Sequence, residues 1–315
     1  MNINMHDAQS AEAFLVSQLS HIESEVYKIQ YPDIRYPSLV PVDTEANPWS
    51  PSVTYYSFDT KGQAKWINGR GQDIPNADVQ RAKFETAVTM GGIGYEYTME
   101  ELAQAQMLRR NLSADKGDAA RLAAEQFIDQ VAMFGDTSVG YSGLANSSDV
   151  TVGEAPNGGA GSPLWSKKTA DEMLADSDAA LSGVWTQSNT VELADTLLLP
   201  LAAFTKANST RITNESSDTV LSFIRKNNIY TARTGRPLMI EPVRGLDTAG
   251  TGGTGRMIAY KRDPRVVKMH MPMPFRFVSQ LYPVAPLTWH VPGIFRVGGV
   301  DVRRPGAFRY MDGIV

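Results

Sequence analysis

The stretch Gly250-Thr-Gly-Gly-Thr-Gly255 has the glycine spacing of a loop that wraps a dinucleotide. That chemistry needs a strand before the loop and a helix after it, so that the helix N-terminus faces the pyrophosphate. Here Arg256-Met-Ile-Ala-Tyr-Lys261 follows, which is a strand pattern. No Lys-Ser/Thr pair closes the loop, so it is not a P-loop either. The segment reads as a flexible hairpin tip. The four histidines, His6, His21, His270 and His290, include no pair at helical metal-ligand spacing, and ordinary surface or packed histidines are expected. Gly-x-Ser-x-Gly does not occur. Glu100, Glu101, Asp171 and Glu172 fall at expected helix starts, where a carboxylate complements the helix dipole. With no cysteine in the chain, disulfides, thiolate metal sites and a cysteine nucleophile are excluded. No catalytic residue, metal site or cofactor is expected, and the chain does not read as an enzyme.

The elements that remain are structural. With 315 residues, 42% hydrophobic and 20% charged, the chain can bury a sizeable core. Its net charge of −4 is the wrong sign for a protein that holds nucleic acid by neutralising phosphates, so nucleic acid would be met by local patches or enclosed. Residues 1–10 lack the basic start and apolar run of a signal peptide. The apolar stretch Leu197–Phe204 is interrupted by Pro200 and is too short to span a bilayer.

Along the chain, Gln9–Lys28 has the spacing of an amphipathic helix, and Gln30–Ser52, broken by five prolines, reads as an extended arm laid on something else. Val53–Phe58 is expected as a strand, 59–63 as a turn and 64–68 as its return, followed by a Gly-rich loop. Thr98 and Glu101 form a capping box. Apolar residues from Met99 to Met107, then Ala120, Ala123, Ala124, Phe127, Ile128, Val131 and Phe134, mark one long helix ending at Gly135. If continuous it would be roughly 55 Å long, with Gly117 as a point where it could kink. A second capping box, Thr169 and Glu172, opens a helix to Trp185. Leu197–Leu199, Leu238–Val243, Met257–Lys261 and Val266–Met271 read as strands, Asp218–Lys226 as a helix, and the tail from Met273 as β-rich. The fold class is α+β.

Exposed aromatic residues on a projecting arm suggest a protein interface. Tyr55, Tyr56, Phe58 and Trp66 are therefore candidate inter-subunit contacts, with Lys61, Lys65 and Arg70 beside them. Arg109 and Arg110 on the long helix are candidates for contact with nucleic acid or for an ion pair with a neighbouring subunit, beside the plain reading of a solvated helix face.

This order of parts resembles the major capsid protein of tailed bacteriophages, the Hong Kong 97 type fold. The stretches that carry the likeness are Gly91-Gly-Ile-Gly-Tyr-Glu-Tyr-Thr-Met-Glu-Glu-Leu102, Ala119 to Phe134-Gly-Asp136, Tyr141-Ser-Gly-Leu-Ala-Asn146 and Leu246 to Tyr260. The resemblance implies an N-terminal arm (1–52), an extended β-loop overlapping a neighbour (53–94) and a peripheral domain with a spine helix (95–189). It further implies an axial domain (190–263), with the Gly250 loop as its hairpin, and C-terminal strands completing the peripheral domain (264–315). The implied function is a shell subunit that self-assembles through pentamers and hexamers around double-stranded DNA, in a virion built in the bacterial host cytoplasm. The implied partners are copies of itself, a separate scaffold protein, a portal and a decoration protein, with no membrane. Some relatives crosslink a Lys to an Asn of the neighbour; Lys61 and Lys65 read as solvated lysines instead. The alternatives are an encapsulin-type compartment shell, which shares the fold, and a nucleotide-binding enzyme using the Gly250–Gly255 loop.

Overall fold

The proline-rich tract after residue 33 lies on the body of its own chain. The computed structural model describes residues 33–66, 74–101, 112–213, 215, 217–278, 282–285 and 287–315. The chain divides into two units, Met1–Asp33 and Ile34–Val315. The helix expected at Gln9–Lys28 lies outside the described residues. In the second unit, a short helix α1 (Tyr36–Leu39) carries Pro37 in its first turn, where a missing N–H costs nothing. The backbone amides of Arg35 and Tyr36 both donate to Asp129 Oδ1, at 2.9 and 2.7 Å, so a distant carboxylate caps this turn. Leu39 and Val40 are fully buried. Strand β1 (Val42–Asp43) then pairs parallel to a strand 227 positions further on, Val42 opposite Met269.

Strands β2 (Ser52–Lys61) and β3 (Asp78–Ala87) form a ribbon of ten antiparallel pairs, Ser52 opposite Ala87 and Lys61 opposite Asp78. The return strand is thus 78–87, not 64–68 as expected. Residues 64–66 have no strand pairing. The β3 sequence is dominated by polar residues because most of it is exposed, so it lacks the apolar alternation by which a half-buried strand announces itself. Strands β4 (Thr89–Gly92) and β5 (Tyr95–Thr98) follow directly.

Thr98 and Glu101 make the expected capping box: the Thr98 amide donates to Glu101 Oε2 at 3.1 Å, and the Glu101 amide to Thr98 Oγ1 at 3.3 Å. Of the long helix expected from there to Phe134, residues 102–111 lie outside the described residues. Lys116 Nζ donates to Glu101 Oε2 and to the Glu96 carbonyl, both at 2.8 Å. The spine helix described is α2 (Leu112–Phe134), about 35 Å long, and it runs through Gly117 without a break. Ala120, Ala124, Ile128 and Val131 face the core as expected, but Phe127 is partly exposed and packs at its edge on Phe295, 5.9 Å between ring centres. At the helix end Gly135 takes φ +69°, and a Cβ there would collide with the Tyr141 carbonyl. The orphaned carbonyls of Ala132, Met133 and Phe134 accept from Leu144 N, Ala145 N and Asn146 Nδ2. The Tyr141–Asn146 segment is therefore the C-terminal cap of the spine.

Beyond it come β6 (Val152–Glu154), α3 (Ala170–Gln187) behind the Thr169–Glu172 capping box, and β7 (Thr196–Pro200). Helices α4 (Leu201–Ser209), α5 (Val220–Lys226) and α6 (Ile229–Thr234) precede strands β8 (Met239–Val243) and β9 (Arg256–Tyr260). The tail supplies β10 (Val267–His270), β11 (Met273–Phe277), β12 (Tyr282–Ala285), β13 (Thr288–Val291), β14 (Gly293–Val297), β15 (Val300–Val302) and β16 (Phe308–Asp312).

A five-stranded mixed sheet, ordered β6-β16-β9-β7-β8, separates two cores. Leu198, Ile258, Tyr260, Phe308 and Tyr310 face the spine helix and the α1 segment. Their sequence neighbours Leu197, Leu199, Met257, Ala259 and Met311 face α3, α4 and α5. Burial on both faces explains why β7 and β9 read as short continuous apolar runs. Strand β16 sits between β6 and β9 in this sheet. The other C-terminal strands return to the earlier part of the chain: β10 pairs β1, β14 pairs β4, and β13 pairs β5.

Candidate assembly surface

The β2–β3 ribbon places the aromatic candidates in two different settings. Residues alternate between faces along each strand. Tyr55 and Phe84 stack at 5.1 Å near the root on one face. There the Arg303 guanidinium lies over the Tyr55 ring at 4.4 Å, and the Tyr55 hydroxyl is 3.5 Å from Asp301 Oδ1. Burial, and then the Asp301 charge, push the Tyr55 hydroxyl pKa up to about 12, so it remains a neutral phenol at physiological pH. A cleft of about 750 Å³ opens beside this contact, walled by Tyr55, Phe84, Tyr141, Asp149, Asp301 and Arg303. Tyr56 and Phe58 lie on the opposite face, 60% and 63% exposed. Lys61 ends β2, and Lys65 and fully exposed Trp66 follow it. Arg70, Arg109 and Arg110 lie outside the described residues.

Sequence reasoning missed the other half of this surface. Val79, Arg81, Lys83 and Phe84 come from β3, opposite Thr60, Phe58, Tyr56 and Tyr55. The aromatic Phe84 was the available signal, but nothing local pairs it with Tyr55 across 28 intervening residues. Arg303 and Asp301 were missed too, since they meet the ribbon only in the fold.

Behind the cleft, a row of charged groups joins three parts of the chain. Lys268 Nζ donates to Asp43 Oδ2 at 2.9 Å, which anchors β1 on β10. His270, fully buried, has Nδ1 3.5 Å from Asp43 Oδ2 and Nε2 3.8 Å from Asp301 Oδ2, with Arg303 Nη2 at 3.4 Å from Nε2. Burial alone would raise the Asp43 pKa, but the Lys268 hydrogen bond and a bond from the Glu45 amide hold it below the usual carboxylate range. His290 lies 3.5 Å from Glu96 on other strands, and His6 and His21 are outside the described residues. Among the described residues, no group of three or more His, Asp or Glu is placed to hold a metal ion. No helix there is long and apolar enough to cross a membrane.

The Gly250–Gly255 loop is occupied by the protein itself. The Thr251 amide and hydroxyl donate to Asp312 Oδ2 at 2.8 and 2.9 Å. Arg256 grips the same carboxylate through Nε and Nη2, at 2.7 and 2.8 Å, and its Nη1 donates to the Ala145 carbonyl. A carboxylate therefore stands where a phosphate would have to enter, and strand β9 follows the loop instead of a helix. The expected hairpin is also corrected: β8 and β9 are not neighbours, because β7 lies between them.

The comparisons agree with this geometry. A family model described as major capsid protein matches residues 62–314. No curated protein sequence matches. Among solved structures, the capsid of Myoviridae phage XM1 superposes with a TM-score of 0.77 at 19% identity, over 95% of this chain and 98% of that one. A Mycobacterium phage Adephagia chain matches at TM-score 0.61 and 13% identity, over 100% and 99%. The capsid of an empty GTA particle matches at 0.63 and 11%, over 97% and 99%. The α+β, Hong Kong 97 type fold expected from the sequence is the fold of the XM1 and GTA capsids. With the family model spanning most of the chain, this protein belongs to the major capsid protein family and is a shell subunit.

Proposed function

We propose that the chain assembles through pentamers and hexamers into an icosahedral shell around double-stranded DNA, and that the β2–β3 ribbon is the arm by which each subunit holds its neighbour. The observation that carries the arm reading is the ribbon's exposure. Ten strand pairs project with Tyr56, Phe58 and Val79 at least half exposed. A two-stranded ribbon is marginal alone in water, so a neighbour must supply the missing surface. Long arms enlarge an interface without enlarging the core, and a closed shell needs heterologous contacts of this kind. Tyr55, Lys61, Lys65, Trp66 and, beyond the described residues, Arg70, Arg109 and Arg110 are the proposed accessory contacts. The β7–β8–β9 sheet with its helices is the proposed axial part. The spine with the β4, β5 and β10–β15 strands is the proposed peripheral part. A separate scaffold, a portal and a decoration protein are the proposed further partners, with assembly in the host cytoplasm and no catalytic role.

Shortening the ribbon tests this. Joining Ser57 to Ala82 through a two-residue Asn-Gly turn removes its outer half and leaves Tyr55, Phe84 and the root intact. The shortened chain is expected to fold as a subunit, judged by circular dichroism, and to form no shells by electron microscopy. Normal shells from it would sink the arm reading.

A further inference from the structure

His270 is fully buried, and the charged groups around it come from several elements. Asp43 of β1 faces its Nδ1 at 3.5 Å, and Asp301 of β15 faces its Nε2 at 3.8 Å. Arg303, just past β15, brings Nη2 to 3.4 Å from Nε2. Lys268, two residues back on the same strand, donates to Asp43 at 2.9 Å. Tyr55 of the ribbon completes the set, with its hydroxyl 3.5 Å from Asp301 Oδ1 and its ring under Arg303. Glu85 and Asp149 line the cleft further out. A guanidinium only donates, so Nε2 is the acceptor and the ring proton sits on Nδ1. That Nδ1 is buried without a hydrogen-bond partner. With a neutral imidazole the charges balance, Asp43 and Asp301 against Lys268 and Arg303. A second ring proton adds an uncompensated charge where burial makes charge costly. It also sets two donors, on Nε2 and on Arg303 Nη2, against each other.

We infer that His270 is a proton-operated latch on the root of the β2–β3 ribbon. Neutral, it helps hold Arg303 over Tyr55. Protonated, it takes Asp301 for itself and expels Arg303 into the cleft, which frees Tyr55 and loosens the root. Three observations choose Arg303 as the group that moves. Among the described cations, it is the one against the ring. It competes with the ring for Asp301 Oδ2, which accepts from its Nε at 3.1 Å. It walls the cleft of about 750 Å³, so it has space to enter. The latched state binds one proton fewer, so falling pH drives release. Histidine is the side chain whose charge changes between pH 5 and 8. Burial works to raise the Asp43 pKa, but the Lys268 hydrogen bond holds it low, and Asp43 stays ionised over that interval. The latch belongs to the folded subunit and stands apart from the shell reading.

Hydrogen exchange on the dissociated subunit tests this, read by mass spectrometry at pH 7.5 and 5.5 and corrected for the intrinsic pH dependence of exchange. Protection of the root amides, 52–56 and 84–87, is expected to fall about tenfold or more at the lower pH, and protection in β7 and β9 to change less than about threefold. His270→Gln keeps a neutral acceptor at both pH values and should abolish the difference at the root. A purely structural role would lower protection in this variant and leave its pH dependence in place. If His270→Gln does not fold, Arg303→Gln carries the comparison and should show the low root protection at both pH values. Equal wild-type protection at the two pH values overturns the inference, as does a pH dependence that survives in the variant. Loss spread evenly over the sheets also overturns it. His290 lies beside Glu96 on β13 and β5. Loss centred on those strands would assign the effect to that pair and overturn the inference as well.

Discussion

Replacing Asp312 by Ala should unfold the subunit several degrees earlier. Asp312 and Arg256 are 3% and 8% exposed, and the pair is bidentate. Removing the acid leaves a buried guanidinium with one carbonyl partner, Ala145, and strips the Thr251 amide and hydroxyl of their acceptor. Breaking a buried pair from one side costs about 3–5 kcal/mol. A unit of roughly 280 residues has an unfolding entropy near 0.6 kcal/mol/K, so Tm should fall by about 5–8 °C. The assay is calorimetry or circular dichroism on dissociated subunits at pH 7. The double variant Arg256→Met, Asp312→Leu should recover at least half the loss, because no unpaired charge remains. A drop of less than about 2 °C for Asp312→Ala, or no recovery in the double variant, would refute the reasoning. The pH dependence has a definite sign. Although burial opposes it, the Arg256 hydrogen bond, followed by that from the Thr251 amide, holds the Asp312 pKa below its ordinary value. Its stabilisation is therefore complete above the unfolded carboxylate value, near pH 4, and is lost as pH falls through the lower folded one. The wild-type subunit should lose more Tm than Asp312→Ala over that acid range.

Two further outcomes concern the glycines. Gly135→Ala forces a side chain into a left-handed position and onto the Tyr141 carbonyl, undoing the spine cap. It should cost more than the roughly 1–2 kcal/mol of the conformation alone, read as a Tm loss or as insoluble protein. Gly252→Ala has the same sign of φ, +72°, but open space around it, so about 1 kcal/mol is expected, with shells unchanged by electron microscopy. NAD or ATP should shift the Tm of neither wild type nor this variant, because Asp312 fills the loop.

What was legible in the sequence was local. Both capping boxes span only four residues, and both form as read. The stripe Ala120, Ala124, Ile128 and Val131 faces the core because helix period alone places those residues together. Gly135 ends the helix for a reason visible in one residue type. The failures were non-local. Helical spacing occurs on both sides of the polar patch before Ala120, but the contact of Lys116 with Glu101, fifteen positions away, is not written in that spacing. The return strand β3 escaped because it is exposed along most of its length and so shows no apolar alternation within its own chain. The apparent hairpin at Gly250 was a crossover, since the strand between its arms, β7, comes from residues 196–200. At the candidate surface, Tyr56 and Phe58 were legible as aromatic residues on a polar arm. Arg81 and Lys83 were not, because strand register decides which cation meets which ring.

The measurement closest to the central claim is electron microscopy of the intact chain expressed alone, with size-exclusion chromatography of the same sample. The account predicts closed shells, tubes, or rings of five or six subunits. A single monomeric peak that persists as concentration is raised and when a scaffold protein is co-expressed, with no assemblies on the grid, would contradict it.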